Sequence, residues 1–435
     1  MAGEIRFTRY GRHETPIGYA EVTIHKICVQ AKQAASTLAL LDSRVKVRLL
    51  LKMARALERD WRAIRRSNEK DLRKAGRFGL TAAMKDRLYL DHGRIEEMAE
   101  AVRTVAHLKD PVGRVLKRWR RPSGLWIEKV SVPLGVILII YESRPNVTAD
   151  CASLCLKSGN AVILRGGREA VETNRAIVDA LRKPLASFNL PPASIGFVKT
   201  RAYSAVNLLL KETENVSLVI PRGGEALIRK IAALSRIPVI KHYRGNCHVY
   251  IDRDADIGKA VAIAYNAKVQ RPGVCNAMET LLVHRRIAPV VLPRLGKLFL
   301  EAGVELRGCP VTRRILPGIK EAREQDWYEE YLDLILAVRV VPSLDEAVRH
   351  ITRYGSQHSD AIVTRNKRAA ELFVHAVDSA SVFVNASTRL ADGGVYGFGA
   401  EVGISTDKFH ARGPMGIEDL TSYKYVVRGT GQIRE

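Results

Sequence analysis

Two periodicities divide the chain. From about Val22 to Lys74, apolar residues recur every three or four positions: Leu38, Leu41, Val45, Leu49, Met53 and Leu57 fall on one helical face. Asp42-Ser43 supplies a helix start inside that run, because a short oxygen-bearing side chain accepts from amides of the turn that follows. Further helical stretches follow Leu80 and span Ile95–His107. Residues 1–20 show no period and read as an irregular N-terminal extension. Past residue 133 the pattern switches. Gly135–Tyr141 (GVILIIY) is a nearly continuous apolar run, the mark of a strand covered on both faces. Ala161–Leu164, Ile195–Val198, Val216–Ile220 and Pro238–Ile240 repeat it, separated by the helical stretches Asn146–Leu156, Arg168–Arg182, Ala202–Thr213 and Glu225–Ser235. A second series follows Arg244-Gly245: strands at His248–Ile251, Thr280–Val283, Ile335–Val341, Ala361–Val363 and Ser381–Val384, with helices at Asp254–Lys268, Ala288–Ala302 and Ser343–Tyr354. Strand–helix alternation at this spacing predicts two α/β domains, each a doubly wound parallel sheet. Between Arg120 and Val132 the turn Pro122-Ser123-Gly124 precedes the alternating run Trp126–Val130, which predicts a β-hairpin; the plainer reading is a surface loop. Leu420–Val427 alternates like an edge strand able to join that hairpin.

Composition narrows the class. The 435 residues suggest two or three domains, and 46% hydrophobic content supplies their cores. Six cysteines are scattered with no C-x-x-C pair. Cys151 and Cys155 sit one helical turn apart, but no other Cys or His completes a zinc spacing, so no metal site is expected. Reduced thiols of a cytoplasmic protein fit this usage better than a disulfide framework. The N-terminus lacks an apolar signal region, and no apolar stretch is long enough to span a bilayer. The net charge of +24 stands out. It permits nucleic-acid binding, but the 70 Lys and Arg are interleaved with 46 acids, and the basic clusters Lys117–Arg121 and Arg62–Lys74 carry no nucleic-acid motif. The same field draws in polyanionic substrates and phosphate-bearing cofactors.

The candidate chemistry centres on Val269–His284 (VQRPGVCNAMETLLVH). Pro272-Gly273 ends a helix and Cys275 follows at once, on a short connection of the kind that presents reactive groups. A free thiol titrates near ~8.5, so a nucleophilic role asks for local cations or amides; Arg271 and the amides of Asn276 and Ala277 are the candidates. A small buried hydrophobe is the alternative for any cysteine. Arg165-Gly166-Gly167 and Arg222-Gly223-Gly224 both end strands of the first series. Glycine admits a phosphate to the backbone and arginine adds a bidentate fork, so the pair suits a phosphate-bearing cofactor, although either could be a plain turn. Asn385-Ala386-Ser387-Thr388-Arg389 offers hydrogen-bonding groups at a strand end, for a carboxylate or phosphate or for capping the backbone. No G-x-G-x-x-G follows the first strand. Walker A, H-E-x-x-H and G-x-S-x-G are also missing.

Three stretches together go further. GVILIIYESRPNVTADCASLCLKSGNAVILRGG, the Cys275 stretch and NASTRLADGGVYGFGAEVGISTDKFHARGPMG resemble the gamma-glutamyl phosphate reductases of the aldehyde dehydrogenase superfamily, from about Ile24 to the C-terminus. The resemblance implies an aldehyde dehydrogenase-like fold. Residues 21–118 and 133–243 would form an NADP-binding domain and 244–414 a catalytic domain. Residues 119–132 and 415–435 would form a β-hairpin oligomerisation arm, making the protein a homo-oligomer. The implied reaction is NADPH-dependent reduction of L-glutamyl 5-phosphate to glutamate 5-semialdehyde and phosphate, through a thioester on Cys275. It is the second step of proline synthesis, and a glutamate 5-kinase that passes on the unstable acyl phosphate is a candidate partner. By position in the motifs, Asn146 and the Cys275 amide would hold the oxyanion. Arg165 would contact the cofactor ribose or 2′-phosphate, Arg222-Gly223-Gly224 would flank it, and Glu330 would bond the nicotinamide ribose. Arg144, Asn385, Ser387, Thr388 and Arg389 are the candidates for the substrate's anionic groups.

Aldehyde-oxidising relatives carry a glutamate base in the segment that aligns with His242-Tyr243-Arg244-Gly245-Asn246. This segment has no acid. A reductase that expels phosphate needs no hydrolytic water, so the difference favours reduction. The competing readings are an NAD(P)-dependent aldehyde dehydrogenase acting oxidatively and a basic nucleic-acid-binding protein on the same fold.

Overall fold

The computed structural model describes residues 17–434, so the expected irregular extension lies outside the described residues up to residue 16. Its last four positions do not match the expectation, because the first helix already begins at Ile17 and runs to Leu38. The next helix, Ser43–Arg59, starts where Asp42 accepts from the Arg44 amide at 2.7 Å. It buries Leu49, Leu50, Met53 and Leu57 along one face, as the spacing predicts.

The chain divides into two compact units. The first runs to Val102 and adds Pro133–Val219 and Ile231–Val239; the second holds Arg103–Val132, Ile220–Lys230 and everything from Ile240. Residues 103–118, 220–230 and 240–243, expected with the cofactor domain, therefore go with the second unit.

In the first unit a four-stranded sheet has the order Ile195–Phe197, Ala161–Gly166, Val136–Tyr141, Leu218–Arg222. Counted along the chain this is 3-2-1-4, a doubly wound order with the first strand central. Val136–Tyr141 and Ala161–Gly166 are buried at every position, which is why they read as unbroken apolar runs. The strand expected at Pro238–Ile240 reduces to one bridge, Val219 with Val239.

The second unit contains a seven-stranded sheet ordered Lys320–Glu321, Glu305–Gly308, Ile335–Val341, Met278–His284, Cys247–Ile251, Ser359–Val363, Ser381–Val384. Every pair with a described register is parallel. Side chains of the central strands alternate between two cores. Val249, Ile251, Leu281, Val283, Ala361 and Val363 pack with the helices Ile257–Val269 and Ala288–Glu301. Tyr250, Leu282 and Ile362 pack with the helices Leu344–Tyr354 and Lys367–Ala376. Each such buried aliphatic side chain contributes roughly 1.5–3 kcal/mol, so the register of the central strands is strongly set. The edge strand Lys320–Glu321, its neighbour Glu305–Gly308, and the helix Pro310–Ile315 that joins them along the chain were not expected.

Val115–Arg120 and Trp126–Pro133 form an antiparallel hairpin, and Thr421–Arg428 is the third strand beside it. The hairpin thus starts four residues before the expected boundary at 119. Among the described residues, no helix is long and apolar enough to cross a membrane.

Candidate active site

Cys275 occupies the turn between the helix Ile257–Val269 and the strand Met278–His284. It is half-buried, while Cys28, Cys151, Cys155, Cys247 and Cys309 are buried. Three sets of contacts fix the turn. Beneath it, Lys268 on the helix and Glu279 on the strand form an ion pair with no exposure on either side chain. Burial pushes the Glu279 carboxyl up to about 7, against the pull of Lys268, and its second oxygen accepts from the Leu332 amide at 3.2 Å. On one flank, Asn276 donates to the Ala391 carbonyl at 2.9 Å and accepts from Arg389. On the other, Gly245 lies against Cys275 so closely that an added methyl carbon would stand 2.6 Å from its Cα. The Cys247 thiol donates to the Cys275 carbonyl at 3.2 Å, and burial raises its pKa well above the usual thiol value, so it stays a donor. Of the amides expected to face the thiol, that of Ala277 bonds to Val274 at 3.1 Å and is already used. The amides of Cys275 and Asn276 have no acceptor among the described residues.

The segment His242–Asn246 is tied down along its length. His242 Nδ1 lies 2.9 Å from the Ile404 carbonyl, Asn246 donates to Trp327 and Tyr354 carbonyls at 2.8 and 2.9 Å, and Arg244 pairs with Glu225. The segment itself has no acid, but the fold brings one to it: Glu330 accepts from the Gly245 amide at 2.8 Å. Burial raises the Glu330 pKa. Glu401, which accepts from the Gly393 amide at 3.0 Å, is raised by burial too. Neither Glu401 nor His358 carries a local sequence signal. His358 is fully buried, and desolvation pushes its imidazole down to about 4.

The loop of Asn385–Arg389 divides. Asn385, at φ 55°, spends both ends of its amide on the Thr364 backbone, accepting at 2.9 Å and donating at 2.8 Å. It is therefore a clasp between two strand ends, not an open ligand group. Ser387 caps Arg389 N at 3.3 Å. Thr388 is wholly buried and its hydroxyl has no hydrogen-bond partner among the described residues. Arg389 bonds Gln270 at 2.9 Å as well as Asn276, which sets its guanidinium beside the Cys275 turn. Burial and neighbouring Arg271 lower its pKa, while Cys275 opposes that shift. Arg222 packs its guanidinium against Gly403 and is drawn to Glu401, so its side chain serves the second unit's own frame.

In the first unit, Arg165 is 6% exposed and donates one bond, to the Gly166 carbonyl at 2.9 Å. Its Nε and second terminal nitrogen are buried without hydrogen-bond partners among the described residues, the guanidinium lies over the Tyr203 ring at 5.7 Å, and burial lowers its pKa. A buried cation with open donors is costly without an anion to meet it, so the residue fits a phosphate-bearing ligand. Gly166 and Gly167 are required by neighbours: added methyl groups would strike Asn174 and Glu169. Asn146 opens the helix Asn146–Lys157, exposed, and donates to Asp150 at 3.0 Å. Arg144 lies half-buried just before that helix. Gly223 and Gly224 precede the helix Glu225–Leu234, and Gly224 has open space around it.

A sheet-flanked thiol turn of this kind defines an aldehyde dehydrogenase-like enzyme. The aldehyde dehydrogenase family model matches residues 15–306. Gamma-glutamyl phosphate reductase of Carboxydothermus hydrogenoformans is 56% identical over 405 residues, 93% of this chain and 98% of that protein. The enzyme of the same name from Nautilia profundicola is 53% identical, with the same coverage of each chain. The crystal structure of gamma-glutamyl phosphate reductase from Thermotoga maritima superimposes with a TM-score of 0.93 at 46% identity, covering 95% of this chain and 100% of that one. The chain belongs to the gamma-glutamyl phosphate reductases of the aldehyde dehydrogenase family. It is an oxidoreductase that works with a nicotinamide cofactor.

Proposed function

We propose that the protein reduces L-glutamyl 5-phosphate to L-glutamate 5-semialdehyde with NADPH and releases phosphate, the second step of proline synthesis. The observation that carries the proposal is the Cys275 turn: the half-buried thiol among five buried ones, braced by Gly245, Asn276 and the Lys268–Glu279 pair. The Cys275 thiolate attacks the acyl phosphate carbon, the carbon–oxygen bond to phosphate breaks, and a thioester remains on the sulfur. By their place in the motifs, the Cys275 amide and the Asn146 side chain would supply donors for the tetrahedral oxyanion. When bound, NADPH supplies the hydride that takes the thioester to a thiohemiacetal, whose collapse returns Cys275 and frees the aldehyde.

Arg165 with its two open nitrogens would hold the cofactor's phosphate, with Gly166, Gly167, Gly223 and Gly224 beside it and Glu330 at the nicotinamide ribose. Arg222 is the weaker candidate there, given its contact with Gly403. Arg389, Ser387, Thr388 and Arg144 would receive the substrate's anionic groups, the open Thr388 hydroxyl first among them. The third strand exposes Tyr423, Tyr425 and Val427 at alternate positions, with Tyr425 against Trp119 of the hairpin, an apolar row that suits a second copy of the chain and supports a homo-oligomer. A glutamate 5-kinase remains the candidate supplier of the acyl phosphate, and the free thiols fit a cytoplasmic enzyme.

Cys275→Ala tests this reading. Turnover should fall to background while NADPH binding, read by fluorescence titration, stays within about twofold of wild type. Retained turnover would remove Cys275 from the chemistry.

A further inference from the structure

The fold gathers two histidines around the thiol from distant parts of the chain, although the sequence spacing predicts no metal site. One ligand atom each from His242, Cys275 and His358 lie within 4.8 Å of one another. Both rings are prepared as metal-bound imidazoles are. His242 donates Nδ1–H to the Ile404 carbonyl at 2.9 Å, which orients the ring and leaves the lone pair on Nε2. His358 is wholly buried, with Nδ1 at 2.8 Å from the Ser359 hydroxyl and 3.7 Å from the Cys247 sulfur, and Nε2 without a hydrogen-bond partner among the described residues. A buried ring nitrogen left unmatched costs free energy, and such an atom points to a ligand. The neighbouring carboxylates Glu330 and Glu401 both act electrostatically on His358, and they favour added positive charge there.

We propose that His242, Cys275 and His358 form a Zn²⁺ site that takes the Cys275 thiolate as a ligand and leaves the fourth position open to water. Two imidazoles and one thiolate match the donor preference of this ion. Tetrahedral Zn²⁺ holds such atoms roughly 3.3–3.8 Å apart, within reach of small rotations of the half-buried His242 and Cys275 side chains. Binding breaks the S–H bond, forms a Zn–S bond and sends the proton to solvent, with no change of oxidation state. One sulfur lone pair is then held by the metal, which also draws charge from the other two, so attack on an acyl phosphate and reaction with an oxidant are both slowed. The site is a reversible cap that a chelator removes. The geometry of the site stands by itself; only its effect on turnover rests on Cys275 being the nucleophile.

The test uses the reduced, full-length protein after EDTA treatment, titrated anaerobically with Co²⁺ as the spectroscopic stand-in and then with Zn²⁺. The expected result is one Co²⁺ per chain with a near-ultraviolet thiolate charge-transfer band and tetrahedral visible bands, all displaced by Zn²⁺. Cys275→Ser should abolish the charge-transfer band, Cys247→Ser should keep it, and His242→Ala should weaken binding at least about tenfold. One equivalent of Zn²⁺ should slow alkylation of Cys275 at least about tenfold, and EDTA should restore it. A band that survives Cys275→Ser, metal binding without a thiolate band, or alkylation indifferent to Zn²⁺ would overturn the site. If His358→Gln fails to fold, the His242 variant and the alkylation rate decide. A thiolate band with unchanged turnover supports the metal site and counts instead against Cys275 as nucleophile.

Discussion

Gly245 and Cys275 are packed backbone to backbone: a methyl carbon on Gly245 would stand 2.6 Å from Cys275 Cα and closer still to its carbonyl. The contact makes the His242–Asn246 segment a mould for the Cys275 turn. A Gly245→Ala variant must move one segment or the other. Misplacing a reacting atom by about 1 Å costs roughly a hundredfold in rate, so kcat should fall by about that factor. The variant should still fold, because the mould lies at one end of the sheet, and circular dichroism checks this. Turnover close to wild type would show that the segment does not position the thiol.

Arg165 offers a sharper test of cofactor choice. Two of its nitrogens are buried without hydrogen-bond partners among the described residues. A hydrogen bond to a charged group contributes about 1.5–3 kcal/mol, so the loss of even one should make Arg165→Ala weaken NADPH by roughly 10- to 100-fold, and the loss of both by more. NADH, which lacks the 2′-phosphate, should weaken much less. Equal losses in paired fluorescence titrations would place Arg165 away from the 2′-phosphate.

Two buried histidines make the fold less stable on the acid side. Desolvation depresses His358 to about 4 and His350 to about 2, against an ordinary value near 6.5. Between the folded and unfolded values the unfolded chain binds more protons. The stabilisation is therefore fully present above about pH 6.5 and is lost as pH falls towards 4 and below. Urea midpoints should drop across this window, and His350→Phe should give a shallower slope. A midpoint constant from pH 7 to pH 4.5 would contradict the assignment.

Where burial is complete and local, the sequence carries the fold openly. Val136–Tyr141 and Ala161–Gly166 are buried at every position and appear as apolar runs, and Asp42 announces its helix by its own side chain. Edge strands such as Lys320–Glu321 are short, exposed and charged, and leave no such trace. Cys275 was visible because Pro272-Gly273 breaks the chain beside it. Its supports were not. Gly245, His358 and Glu401 matter through contacts between segments far apart in sequence, and a lone Gly, His or Glu has no period to betray it. The same blindness hid the contact of Glu330 with the Gly245 amide, although the resemblance had named Glu330, and the clasp that Asn385 makes with Thr364.

The acid at Gly245 makes the direction of the reaction the decisive question, because an oxidising enzyme uses a carboxylate to activate the water that takes the acyl group. The measurement is reduction of NADP⁺ with glutamate 5-semialdehyde, with and without inorganic phosphate. If Cys275 passes its acyl group to phosphate, absorbance at the reduced cofactor's band should rise only when phosphate or arsenate is present. Equal rates without either anion would mean that water takes the acyl group, and would contradict a phosphate-expelling reductase.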